Sequence, residues 1–428
     1  MLKPIRKTGT RWAGVVLGLL LPVLASLGAF AQTHVVMWLS SQPVAVNAWA
    51  EEFERLFNQE NRDLRLELQV HPSVTEQRER LILTIAAGTA PDVVYEASNV
   101  MGTWVMNGIA APLDPYLERM RDADDFIPGI IDGVRYGGRT YAMPFSVWVN
   151  ADLYNLDMVN AAGLTLPSTW DELIAAVRVL TRYRDDGSPE VLGYRTTRSG
   201  IFAYIDLQRA MEQLGTTTID PLGNRATIRS EQAQRAMEVL RELYRLGMAG
   251  TPGGTAVNDV ALGRVAIQHL AQTLNSGALY DQTVQLNVPV EFRAIVGPDA
   301  ESGIVHHNAG TLFIVNASDK KDAAWRVVEA WVSPDNMTRY LLAHAGSLPA
   351  RISLLARPEL QELPFADQAF ALLAGRVTTY GAKHPLFADF RAAAGEYLQR
   401  AIEGEMGIPT ALEQAEAAVN QVVRDFRL

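Results

Sequence analysis

The chain has 428 residues, no cysteine and a formal charge of -10, with 48% hydrophobic and 20% charged residues. That is the composition of a folded globular protein, and the length exceeds what one hydrophobic core usually supports, so two domains are expected. The acidic balance makes nucleic acid and anionic lipid poor partners, and without cysteine the cores must stand without disulfides.

At the start, Lys3, Arg6, Lys7 and Arg11 precede the apolar run Ala13 to Leu24, and Ala29-Phe30-Ala31 supplies small residues for cleavage. This pattern predicts a signal peptide over residues 1–31. Its removal takes away four positive charges and leaves -14. With no cysteine to carry a lipid anchor, a freely diffusing periplasmic protein is expected.

The run His34 to Met37 reads as a strand, and Trp49, Phe53, Leu56 and Phe57 then share one face of a helix. Leu64, Leu66, Leu68 and Val70 alternate with polar residues as in a half-buried strand. Ser73 and Glu76 form a capping box for a helix with Leu81, Ile82, Ile85 and Ala86 as its apolar stripe, stopped by Gly88 and Pro91. Val93 to Tyr95 is a buried strand. The order β-α-β-α-β predicts a parallel sheet covered by helices, whose ligands sit beyond the carboxyl ends of the strands. Trp38, Ser40 and Ser41 follow one such end, and Glu96, Ser98 and Asn99 another. Asp92 lies at the opposite edge, with a structural role.

Farther on, "VRYGGRTYAMPF" predicts a hairpin turning at Gly137-Gly138. Helices are expected to open near Ser168-Thr169 and near Ser230, the latter running to Gly247; "SDKKDAAWRVVEAWV" is another, and "TALEQAEAAVNQVVRDF" closes the chain. His306-His307 lacks a third ligand at zinc spacing, "DADDF" and "RDDGS" lack the pattern of a calcium loop, and there is neither a Tyr-Tyr pair nor a phosphate-cradling loop ending in Lys-Ser/Thr. No metal and no cofactor are expected.

Seven stretches carry a family resemblance: "AAGTAPDVV", "GRTYAMPF", "YNLDMVNAAGL", "PSTWDEL", "LGRVAI", "DKKDAAWRVVEAWVSP" and "GSLPAR". In this order and spacing the chain resembles the family 1 extracellular solute-binding proteins of ATP-binding-cassette importers, which include maltose-, oligosaccharide- and glycerol-phosphate-binding proteins. The resemblance implies an α/β fold of type II with two lobes, each a mixed, mainly parallel sheet flanked by helices, and a ligand cleft between them. Lobe 1 would take residues 32–144 and about 297–345, lobe 2 about 145–296 and 346–428. The stretches "YAMPFSVWVN" and "HHNAGTLFIV" would cross between lobes.

The implied function is capture of a sugar, oligosaccharide or polyol by a monomer that delivers it to the transmembrane subunits of a permease, with no bond broken. A secreted carbohydrate-cleaving enzyme is the competing class, but Glu96 has no evident second carboxylate. A receptor serving a sensor is the third. "MWLSSQP" and "FSVWVN" depart from the glycerol-phosphate pattern, which weakens a phosphodiester ligand.

Sugars need planar polar partners for hydroxyls and rings for their C-H faces, which singles out Trp38, Glu96, Trp148 and Asn150. Each has a plainer role open to it: core packing for the tryptophans, first-turn amides for Glu96, a turn for Asn150. Ser98 and Asn99 are better helix caps than ligand groups. By resemblance, Asn308 and Gly310 approach the ligand or serve the hinge, and Ser347 faces the cleft or shapes a turn. Trp325 and Trp331 are expected in a core, and Trp170 braces a lobe. For Arg195 a surface salt bridge is expected rather than a ligand contact.

Overall fold

The computed structural model describes residues 32–220, 225–248, 258–272, 276–344, 347–379 and 384–426, with side chains of 271–280 excepted. The expected signal peptide and Gly346 of "GSLPAR" lie outside them.

The opening unit forms as its periodicity predicts: β1 (Thr33–Ser40), α1 (Val44–Glu60), β2 (Leu64–His71), α2 (Val74–Ala86) and β3 (Val93–Ala97). β1 pairs in parallel with both β2 and β3. Ser73 Oγ accepts the Glu76 N–H at 3.1 Å, capping α2, and Gly88 closes that helix with a φ of +71°, a backbone state that suits glycine. The stripe of α2 differs from expectation. Leu81 and Gln77 are its buried residues, while Ile82 is 56% exposed. Gln77 belongs inside because its Nε2 donates to the Tyr95 carbonyl at 2.7 Å, satisfying a polar group within the packed layer. Asp92 has its structural role: its carboxylate accepts from the Val36 N–H, Ser318 Oγ and Lys320 Nζ at 2.8, 2.6 and 2.9 Å.

After the short helix α3 (Met101–Met106), the hairpin β4 (Arg135–Tyr136) and β5 (Arg139–Thr140) turns at Gly137 and Gly138, both with positive φ. The chain then enters β6 (Met143–Asn155), 13 residues long. The longer helices that follow are α4 (Trp170–Leu180), α5 (Gly200–Gln213) and α6 (Glu231–Gly247). Thr169 caps α4 and Ser230 caps α6 through their side chains. Strands β7 (Ile267–Gln272), β8 (Val290–Arg293) and β9 (Val305–Ile314) come next, then α7 (Lys321–Trp331), α8 (Pro334–Ala343), β10 (Leu348–Pro349), β11 (Val377–Thr379), α9 (Phe387–Ile402) and α10 (Ile408–Phe426).

Among the described residues the main sheet has nine strands, ordered β8-β6-β9-β3-β1-β2, with β7 and β10 also on β6 and β11 on β9. β6 and β9 run antiparallel through its middle. They are the two stretches expected to cross between the lobes. Because side chains alternate along a strand, Phe145, Val147, Val149, Ala151 and Leu153 of β6 enter one apolar cluster with α1, α7 and α8. That cluster holds Trp325 and Trp331, and a T-shaped contact at 4.6 Å sets Trp331 against Trp49. On the other side of the β1–β3 layer, Trp38, Val94, Met101, Trp104 and Phe313 pack together. A separate, mainly helical cluster joins α4, α5, α6, α9 and α10, with Trp170 inside it.

α3 touches both halves. Met101 and Trp104 belong to the β1–β3 side, Met106 packs on the helical cluster, and a Cβ at Gly102 would lie 2.6 Å from Pro385 Cα. Only a residue without a side chain permits that approach.

Candidate functional site

The alternation that sends the odd residues of β6 into the core turns its even residues the other way. Asn150 pairs across with His306 and Trp148 with Asn308, so these side chains share one face of β6 and β9. Trp148 is half-buried and Asn150 is 1% exposed, and Nδ2 of Asn150 has no hydrogen-bond partner among the described residues. Asn308 accepts through Oδ1 from Ser98 Oγ–H at 2.7 Å and from the Asn99 N–H at 3.2 Å. The result is an aromatic ring flanked by two carboxamides. Gly310, beside a register shift in the β6–β9 pairing, turns to the core instead: a Cβ there would be 2.5 Å from Ser146 Oγ, 3.1 Å from the Tyr95 ring and 3.3 Å from the Phe145 ring.

At the ends of β1 and β3 the expected residues divide. Trp38 is a correction. It is 5% exposed in the core behind β1, its indole N–H donates to Gln69 Oε1 at 2.8 Å, and its ring centroid is 4.3 Å from that of His71. Glu96 is also otherwise engaged. Arg78 reaches both carboxylate oxygens at 2.8 Å, the Trp104 indole N–H donates to Oε2 at 3.2 Å, and the Ala97 N–H to Oε1 at 2.8 Å. Four donors on one buried carboxylate leave it little capacity for a ligand. Arg78 carries the exposure of the pair, at 35% against 3%; sequence reading passed over it because its partner is 18 positions away.

Ser40 is buried beside Gln42, whose Nε2 is 3.2 Å from its Oγ, and Ser41 is exposed with its N–H donating to the His71 carbonyl at 2.7 Å. Ser98 caps nothing with its side chain; the short 3-10 turn Ser98–Val100 has no side-chain cap. Its hydroxyl instead joins Asn308. Ser347 is 2% exposed, with its N–H donating to the His344 carbonyl and its Oγ 3.0 Å from His344 Nδ1, which is the turn role.

Where α5 and β7 meet β6, charge is buried. Asp152, on the even face of β6, has Oδ1 2.6 Å from His269 Nδ1; His269 Nε2 is 2.9 Å from Asp206 Oδ1, which Arg209 Nη2 approaches at 3.1 Å. Burial by itself would push the His269 pKa down, but Asp206 and Asp152 outweigh it and raise it above the ordinary 6.5. Asp206 also pays for burial with an upward push, yet His269 and Arg209 hold its pKa below the usual carboxylate value. Nearby, Glu212 Oε2 is 3.4 Å from His306 Nε2. Adjacent His307 points to the opposite face, where its ring N–H donates to the Gly129 carbonyl and burial lowers its pKa to about 4. Adjacent strand residues therefore cannot chelate together. Arg195 is not on the surface: it is 7% exposed, pairing with Asp259 at 2.7 Å and donating to Gln268 at 2.8 Å.

A model of the bacterial extracellular solute-binding protein family matches residues 40–338. A binding protein of Brucella abortus (strain 2308) is 25% identical over 353 residues, covering 79% of this chain and 81% of that one. The maltotriose-binding protein of Pyrococcus abyssi is 22% identical over 343 residues, covering 77% and 69%. Among solved structures, the sugar-binding protein MalE of Xanthomonas citri superposes with a TM-score of 0.79 at 20% identity, over 92% of this chain and 98% of that one.

Proposed function

Since this chain belongs to the bacterial extracellular solute-binding proteins, we propose that it captures a sugar, oligosaccharide or polyol between its lobes in the periplasm and hands it to the permease of an ATP-binding-cassette importer. The observation that carries this reading is the half-buried Trp148 ring with Asn150 and Asn308 beside it on one face of the crossing strands. A sugar ring lays its C-H face on the indole, and the carboxamides meet its hydroxyl edge. The maltotriose-binding relative and the sugar-binding structural neighbour support the ligand class.

The mechanism is a population shift: contacts made to both lobes at once exist only in the closed form and stabilise it. Lobe 1 takes residues 32–144 and about 297–345, and lobe 2 about 145–296 and 346–428. The site consists of binding groups, with no catalytic step. Export by cleavage of residues 1–31 puts the protein in the periplasm as a monomer.

A thermal-shift screen of sugars, polyols, their phosphates and amino acids tests the ligand class. Ligand at 100 times Kd stabilises the folded state by about 2.7 kcal/mol, and sugars or polyols should raise the melting temperature. Scattering on the same samples should show a smaller radius of gyration with ligand. Amino acids alone giving the rise, or enzyme-dependent products from oligosaccharides, would overturn the proposal.

A further inference from the structure

We infer that Ser98 is a positioning residue for this site, acting through Asn308; the inference rests on the cleft reading above. The two are 210 positions apart in the chain, and both are buried, at 1% and 6% exposure. Ser98 Oγ–H donates to Asn308 Oδ1 at 2.7 Å, and the Ala309 N–H is shared between Ser98 Oγ and Asn308 Oδ1, 3.0 Å from each. With that N–H directed at it, the hydroxyl turns its proton toward Asn308. The Asn99 N–H points at the same Oδ1 from 3.2 Å.

A carboxamide has two limbs of nearly equal size, one accepting and one donating, and a half-turn exchanges them. At Asn308 the exchange would set NH2 against the Asn99 N–H, donor against donor. The accepting limb is thereby fixed on the β3 end, and Nδ2 is the limb left for the cleft, beside Trp148 on the paired strand. Asn308 thus offers donors only. It selects a ligand that places an acceptor oxygen at the edge of the ring lying on Trp148. Ser98 also sets that donor's position relative to the first lobe, because it stands where β3 ends.

The test compares Ser98→Thr with Ser98→Val, two side chains of equal shape that differ in the hydroxyl, together with Asn308→Asp, which keeps the accepting limb and replaces the donor. Maltotriose, mannotriose, ribitol and D-tagatose are offered to the unaltered protein, and the one with the largest thermal shift is titrated calorimetrically at 25 °C, well below the melting temperature. There the chain is folded, and a purely structural role moves the melting temperature without moving Kd. Ser98→Thr should bind within about threefold of the parent, Ser98→Val about tenfold more weakly, and Asn308→Asp weaker still, because an unmade or repelled buried hydrogen bond costs on this scale.

Equal Kd for the Thr and Val proteins, whatever their melting temperatures, overturns the inference and leaves the carbohydrate reading standing. So does unchanged binding by Asn308→Asp, a variant close enough in shape to fold if both Ser98 replacements do not. No response of the parent to any of the four compounds overturns the carbohydrate reading for this site, and the inference with it.

Discussion

Replacing His269 by leucine should remove one of four buried charges and leave the other three unbalanced. In the folded protein both ring nitrogens face carboxylates, Asp152 at 2.6 Å and Asp206 at 2.9 Å, so the arrangement calls for the doubly protonated ring. Asp152, Asp206, Arg209 and a charged His269 then sum to zero. Tyr194, whose ring centroid is 5.3 Å from that of His269, and Tyr154 are the other titratable groups facing the cluster, and burial raises both phenols. With leucine, two carboxylates share one guanidinium in a site that is 1% exposed at the ring. Breaking a buried pair by removing one partner costs about 3–5 kcal/mol.

The pH dependence follows the same charge. The folded pKa of His269 is raised above 6.5, so its contribution is fully present below pH 6.5 and is lost as pH rises through the folded value. Urea unfolding across pH 5.5 to 9 on parent and His269→Leu, with the His269 Cε1–H followed by NMR, measures both quantities. The parent should lose stability with increasing pH in a step that the variant lacks. A ring that titrates at or below 6.5, or a variant costing under about 1 kcal/mol, would refute the reasoning.

Four further outcomes are expected. Arg78→Ala should destabilise the protein by about 1–3 kcal/mol in denaturant unfolding, since it leaves the buried Glu96 carboxylate to the Trp104 and Ala97 N–H groups alone. Trp148→Ala should weaken binding of a responding sugar at least about tenfold, whereas Trp38→Phe should lower the melting temperature and leave that Kd unchanged in calorimetry, because Trp38 faces the core. Gly102→Ala puts a Cβ 2.6 Å from Pro385 Cα; the contact between α3 and the start of α9 must give way, and scattering should show a larger radius of gyration than the parent with the same sugar bound.

The local structure was written in short-range patterns. The alternation over Leu64 to Val70, the Ser73 and Glu76 cap, the Gly137-Gly138 turn and the apolar periods of α4, α6, α7 and α10 each depend on neighbours within a few positions, and all appear as strands, turns and helices. Seven stretches in order were enough to indicate the family, and Trp148, Asn150 and Asn308 could be named as candidates because they belong to the stretches expected to cross between the lobes.

Partner choice was not legible. Nothing near Glu96 in the chain announces Arg78 and Trp104, nothing near Ser98 announces Asn308, and Trp38 reads equally well as a cleft ring or a core ring until β2 sets Gln69 and His71 against it. Arg195 looked like a surface cation and is buried on Asp259. Sequence marked many of the strands and helices and, α2 excepted, the apolar face of each, because backbone propensity and periodicity act over a turn or two of chain. Which buried polar group meets which was decided by tertiary pairing, β1 with β2 for Trp38, α2 on β3 for Glu96 and β9 with β3 for Asn308, since hydrogen bonds and ion pairs join atoms that are near in space, whatever their separation in the chain.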